Sequence, residues 1–155
     1  MARVDRVAER DWARMRAVRL RALADAPAMF GSDLAREEAF DEAEWRRRAA
    51  RPVTFLVSVD GDDAGMAGVF DFDGAWCVMG MWLAPQVRGT GIVDELLCAC
   101  ADFVRERGAD RVALAVMEDN PAGIRAYARN GFVATGEREH VRDGRDELWM
   151  VKDLR

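Results

Sequence analysis

Residues Gln86-Val87-Arg88-Gly89-Thr90-Gly91 place two glycines, a hydroxyl and an arginine just before a long amphipathic run. An apolar stretch, Val78–Leu83, precedes them. A strand, a glycine turn and then a helix start can grip an anion, because the first helical turn carries unpaired N–H groups and a partial positive charge. Gly89 and Gly91 let the backbone curl and approach that anion with no side chain in the way. The turn is no P-loop, which needs a lysine for the outer phosphates; the only lysine is Lys152. It also lacks the third glycine of the dinucleotide fingerprint, since Asp94 stands there. A lone Gly-x-Gly also occurs in ordinary strand-to-helix turns, so a second constellation is needed to give it meaning.

That second constellation is Asn120-Pro121 followed by Tyr127. Asn120 suits a helix N-cap and Pro121 the first helical position. Tyr127 lies about two helical turns further on, on the same side of that helix. Read separately, Asn120 is a cap and Tyr127 a core aromatic.

The elements that position these residues are legible. Ile92, Val93, Leu96, Leu97, Cys100, Phe103 and Val104 recur at helical spacing, and Gly108 ends that helix. Arg111–Val116 alternates as a half-buried strand and runs into Glu118-Asp119-Asn120. Upstream, residues 3–7 read as a strand and 9–24 as a helix, whose arginines are expected to form a solvated face. Asp41 and Glu44 suggest a capping box at the start of a second helix that buries Trp45. Between the helices, Ala28–Phe40 reads as a loop or short helix, a packed connector or the rim of a pocket. Strands are expected at 53–59, 64–72, 76–83, 132–137 and 147–154, with a polar loop at 138–146.

Composition bounds the rest. A chain of 155 residues, half apolar and a third charged, is expected to form a single domain. No apolar run approaches the ~20 residues that span a membrane. The opening Met-Ala-Arg-Val-Asp-Arg lacks a secretion-signal core, so a cytoplasmic location is expected. A net charge of −5 argues against general nucleic-acid binding. The three cysteines lack metal-ligand spacing and read as buried, reduced thiols. His140 is the only histidine, which leaves little support for a His-based triad.

Taken together, the two constellations resemble the GNAT superfamily of acyl-CoA-dependent N-acetyltransferases. Gln86, Gly89 and Gly91 match the family's glycine turn after the fourth strand; Asn120, Tyr127 and Gly131-Phe132 match its second hallmark. The resemblance covers residue 53 onward. It implies an α/β (α+β) GNAT fold over residues 1–155: a mixed, mostly antiparallel sheet of six or seven strands with about four helices, in the order β-α-α-β-β-β-α-β-α-β-β. Two positions depart from the pattern. Val93 stands where many members have a small residue, and it would crowd a phosphate or face the sheet. Gly123 stands where many have alanine, at a cost of about 1 kcal/mol in helix propensity.

The resemblance further implies transfer of acetyl from acetyl-CoA, without a metal, to a primary amine of a small molecule or peptide. Backbone amides of Val87, Arg88, Gly89, Thr90, Gly91 and Ile92 would hold the pyrophosphate, flanked by the Gln86 and Arg88 side chains. Trp82 and Leu83 would pair with the pantetheine arm, and an amide near Met81 or Trp82 would polarise the thioester carbonyl. Asn120 would bind pantetheine or order the helix start, and Tyr127 would protonate the departing thiolate. Glu118, Glu37 and Glu38 are candidate bases; together they suit a cationic acceptor. A non-catalytic acyl-CoA sensor of the same fold is the alternative, and homodimerisation is common in the family.

Overall fold

A computed structural model describes every residue except Gly31 and Asp143. The chain runs through β1 (Ala2–Arg6), α1 (Trp12–Asp25), α2 (Leu34–Glu38), α3 (Glu42–Ala50), β2 (Val53–Val59), β3 (Asp62–Phe72) and β4 (Ala75–Leu83). It continues through α4 (Ile92–Glu106), β5 (Arg111–Met117), α5 (Pro121–Arg129), β6 (Val133–Arg142) and β7 (Arg145–Asp153). The strands form one sheet in the order β1-β2-β3-β4-β5-β7-β6. β1 and β2, β5 and β7, and β6 and β7 pair antiparallel; β4 and β5 pair parallel, through the single register pair Cys77–Ala113. The expected order and mixed sheet are therefore present, with one helix more than expected because the connector after α1 folds into the short α2.

Two compact units divide the chain: Met1–Gly68 with Gly80–Leu96, and Val69–Met79 with Leu97–Arg155. In the first, α1 buries Met15, Val18, Ala22 and Leu23 at the expected helical spacing against Trp45 of α3, Leu56 of β2 and Trp82 of β4. The α3 start follows its sequence signal: the Asp41 side chain accepts a hydrogen bond from the Glu44 amide at 2.9 Å. The Glu44 carboxylate does not complete the capping box. It turns outward to Arg47 and Arg48. The α1 arginines are also more occupied than a solvated face would be. Arg14 binds Asp63 at 2.7 Å and Asp5 at 3.2 Å, and Arg21 donates to the Asp63 carbonyl.

In the second unit, α4 buries Cys100 and Val104 completely, and β5 buries every second residue, Val112, Leu114 and Val116. Cys77 is buried as well, but Cys98 is exposed, contrary to the reading of all three thiols as buried. It points off the outer face of α4, two positions from Cys100. The polar loop expected at 138–146 is mostly strand. Glu139 pairs with Glu147 and His140 with Asp146 across β6 and β7. Polar pairs, Arg138–Asp146 and His140–Asp146, stand there in place of the apolar alternation by which strands are read. Asp143 in that stretch, and Gly31 in the 28–40 connector, lie outside the described residues.

Gly65 is a packing position. A Cβ there would sit 2.7 Å from the Trp82 carbonyl oxygen and 2.8 Å from Leu83 Cδ2. The first of these is backbone and can yield only if β4 moves. Gly65→Ala is therefore expected to lower stability by about 1–3 kcal/mol, the usual cost of overpacking. Urea unfolding measures this; a variant as stable as the parent would show that β4 yields freely at this point.

Candidate active site

The glycine turn begins as a 3₁₀ turn, Pro85–Val87. Val87 is buried and anchors it; Gln86, Arg88, Gly89 and Thr90 are exposed. The Val87 amide donates to the Ala84 carbonyl at 3.0 Å and the Arg88 amide to the Pro85 carbonyl at 3.3 Å. Those two amides, expected to face the pyrophosphate, are thus already committed. Among the described residues, the amides of Gly89, Thr90, Gly91 and Ile92 meet no carbonyl at hydrogen-bonding geometry. Gly89 and Gly91 have φ of +77° and +87°, with open space where a Cβ would lie. Conformation, more than room, requires glycine at both. The Thr90 hydroxyl donates to the Val87 carbonyl and stiffens the curl. Val93 is half-buried on the first turn of α4.

Arg88 does not hang free beside the turn. Its Nη2 binds Asp25 at 2.6 Å and its Nε donates to the Leu83 carbonyl at 3.0 Å. The Trp82 indole N–H reaches the same Asp25 oxygen at 2.9 Å. That indole bond first, and Arg88 next, hold the Asp25 carboxyl below its ordinary value. Asp25, the last residue of α1, therefore joins α1, β4 and the turn. Trp82 is buried, Leu83 half-buried. β4 itself bends just before them, at Gly80, where φ is +65°.

In the second unit Asn120 caps α5, its Oδ1 accepting from the Gly123 amide at 3.0 Å. A Cβ on residue 123 would lie 2.5 Å from Asn120 Nδ2. Glycine at this position, a cost by helix propensity alone, is what lets the asparagine fold back over the helix start. Tyr127 stacks edge-on against Phe132, ring centroids 6.2 Å apart. Its hydroxyl has no hydrogen-bond partner among the described residues. Burial, with a smaller contribution from Cys100, pushes its pKa up to about 12. The phenol is therefore protonated at neutral pH.

The three candidate bases have different surroundings. Glu37 has no exposed area, and both its oxygens are taken by Arg19, Nε at 2.9 Å and Nη2 at 3.0 Å, with Arg48 3.5 Å away. Burial acts to raise its pKa, but hydrogen bonds from Arg19 and Ser32 and the charges of Arg19 and Arg48 prevail and lower it. A carboxylate so occupied is a poor proton acceptor. Its charge is more than cancelled, which removes it from any acidic surface meant for a cationic acceptor. Glu118 is exposed and binds Arg138 at 2.8 Å. Glu38 is exposed without an ion-pair partner among the described residues. One carboxylate escaped the sequence reading. Glu147, half-buried on β7 and opposite Glu139, has its pKa raised by burial and then by that neighbour. Only the β6–β7 register reveals it. Among the described residues, no group of His, Cys, Asp and Glu is arranged to hold a metal ion, and no helix is long and apolar enough to cross a membrane.

Residues 17–132 match the model of the acetyltransferase (GNAT) family. The chain belongs to that family. Streptothricin acetyltransferase of Streptomyces lavendulae is 42% identical over 88 residues, 54% of this chain and 46% of that protein. The chain thus matches less than half the length of that relative. The crystal structure of nourseothricin acetyltransferase superposes with a TM-score of 0.62 at 31% identity, over 66% of this chain and 65% of that one. An acetyltransferase from Salmonella typhimurium, solved with its cofactor acetyl-CoA, superposes over 100% of this GNAT chain and 95% of its own, at 20% identity and a TM-score of 0.77.

Two measurements check these environments. The chain has one tyrosine, so tyrosinate absorbance reports Tyr127 alone. It is expected to rise near pH 12 in the folded protein and near pH 10 after unfolding; a native midpoint at pH 10 would contradict the shielding of the phenol. Glu37, with a lowered folded pKa, stabilises above the ordinary carboxylate range, and that stability is lost as pH falls through the lowered value. Glu37→Gln should therefore cost about 3 kcal/mol or more at neutral pH and flatten the acid side of the stability profile. An unchanged profile would dismiss the clamp.

Proposed function

We propose that this GNAT protein transfers acetyl from acetyl-CoA to a primary amine by direct attack, with both substrates bound. The observation that carries the reading is Tyr127: a protonated phenol with no hydrogen-bond partner among the described residues, at the sequence position that matches the family's acid. It weighs against a protein that only senses acyl-CoA. The amides of Gly89, Thr90, Gly91 and Ile92, with the dipole of the 15-residue α4, are the groups suited to the pyrophosphate. The Salmonella neighbour's bound acetyl-CoA supports that assignment of the cofactor. Trp82 and Leu83 are assigned to the pantetheine arm, with the Trp82 backbone as contact because its side chain is in the core. Asn120 orders the start of α5.

In the reaction, the amine lone pair forms the C–N bond at the thioester carbon while a β4 amide stabilises the developing oxyanion. As the C–S bond breaks, the thiolate takes the Tyr127 proton. The attacking nitrogen must lose its own proton. Glu37 is unsuited to take it, which leaves Glu38, Glu118, the half-buried Glu147 or solvent. Relatives named for streptothricin and nourseothricin favour a small-molecule acceptor over a peptide.

Calorimetry with acetyl-CoA, followed by thiol release over an amine panel that includes streptothricin, tests the reading. Tyr127→Phe is expected to lower kcat by about a hundredfold or more with little change in acetyl-CoA affinity. Full activity in that variant would exclude Tyr127 as the acid. Binding without turnover of any amine would favour the sensor.

A further inference from the structure

Arg19 has a nitrogen that its ion pair does not use. Nε and Nη2 are both spent on Glu37, and the guanidinium lies against the Phe30 ring, 4.7 Å from its centroid. The remaining nitrogen, Nη1, has no hydrogen-bond partner among the described residues. It lies 3.8 Å from where a Cβ on Gly80 would stand, and among the described residues no other atom beyond the chain neighbours comes within 4 Å of that point. The side chain is only 18% exposed. A guanidinium nitrogen can donate but never accept, so this end calls for an oxygen. Its direction is set in advance, because the two bonds to Glu37 and the ring contact leave the plane little freedom.

The local charge agrees. In the connected set Arg19, Glu37, Arg48, Glu44 and Arg47, three guanidiniums face two carboxylates. The excess is positive, so a purely cationic molecule would be repelled from Nη1, whereas one that turned an oxygen toward it would keep its own ammonium away. The bend at Gly80 immediately precedes Met81 and Trp82, the segment assigned above to the thioester carbonyl.

We infer that Arg19 is a specificity-determining residue whose Nη1 donates to an oxygen of the acceptor, so that the acceptor is a primary amine bearing a carboxylate or amide carbonyl a few bonds from its nitrogen. This rests on the acetyl-transfer reading. It replaces an acidic rim for cations with a donor for oxygens.

The test is thiol release from acetyl-CoA with matched amines: glycine, β-alanine and γ-aminobutyrate, their amides, and ethylamine, propylamine and butylamine. At least one oxygen-bearing compound should exceed its plain counterpart in kcat/KM by about tenfold or more, the size of a charge-assisted hydrogen bond. In Arg19→Lys that ratio should collapse toward one, since an ammonium kept on Glu37 has no second arm to offer. Melting temperature and acetyl-CoA calorimetry establish that the variant is folded; if it is not, the wild-type ratio decides alone. A uniform loss on all amines with the ratio preserved would make Arg19 structural and overturn the inference. So would equal turnover of plain and oxygen-bearing amines by the wild type. Both results would leave acetyl transfer standing. No thiol release from any compound, in a protein that binds acetyl-CoA, would remove transfer and this inference together.

Discussion

A carboxylate with no exposed surface needs cations, and in the first unit that need organises three helices. Glu37 lies on α2, Arg19 on α1 and Arg48 on α3, so one ion set ties all three. Such a set adds little net stability compared with an apolar filling, because desolvation offsets most of the attraction. What it adds is direction. Neither arginine can swing away without stranding a buried charge, and α2, only five residues long, would otherwise have little to hold its orientation.

The same economy of committed and uncommitted groups runs through the site. Two amides of the turn close its own 3₁₀ bend, and the next four are left over among the described residues. Asn120 spends its side-chain oxygen on α5, while the Tyr127 hydroxyl has no partner among the described residues. Residues that look equivalent in a motif thus separate into those that shape the backbone and those with bonding capacity in reserve, and the proposed chemistry rests on the second group.

Much of this was legible in the sequence where the signal is local. Helical spacing placed α1 and α4, the Asp41 and Asn120 caps fell where side-chain acceptors precede apolar runs, and the glycine turn was found by its φ-permissive residues. The Arg19–Glu37 bond escaped because it joins residues 18 apart on different helices, and the arginines of α1 carry no mark that separates a solvated one from a clamped one. β6 and β7 were drawn too short because cross-strand charges, rather than alternating apolar residues, fill their outer ends. Gly123 was misjudged for a related reason. Propensity counts the backbone entropy of a glycine, whereas its value here is the space it leaves for a neighbour.

The bond between Arg88 and Asp25 has a consequence for how an anion would be held. With the Arg88 guanidinium paired to Asp25, the turn itself would attract an anion through peptide dipoles rather than a net charge. Mobile ions screen a net charge over about 10 Å at ordinary ionic strength, but they do little to N–H groups in direct contact with a ligand. The grip on a diphosphate should therefore weaken only slightly as salt is added, and the turn would select by fit where a cluster of free arginines would select by charge.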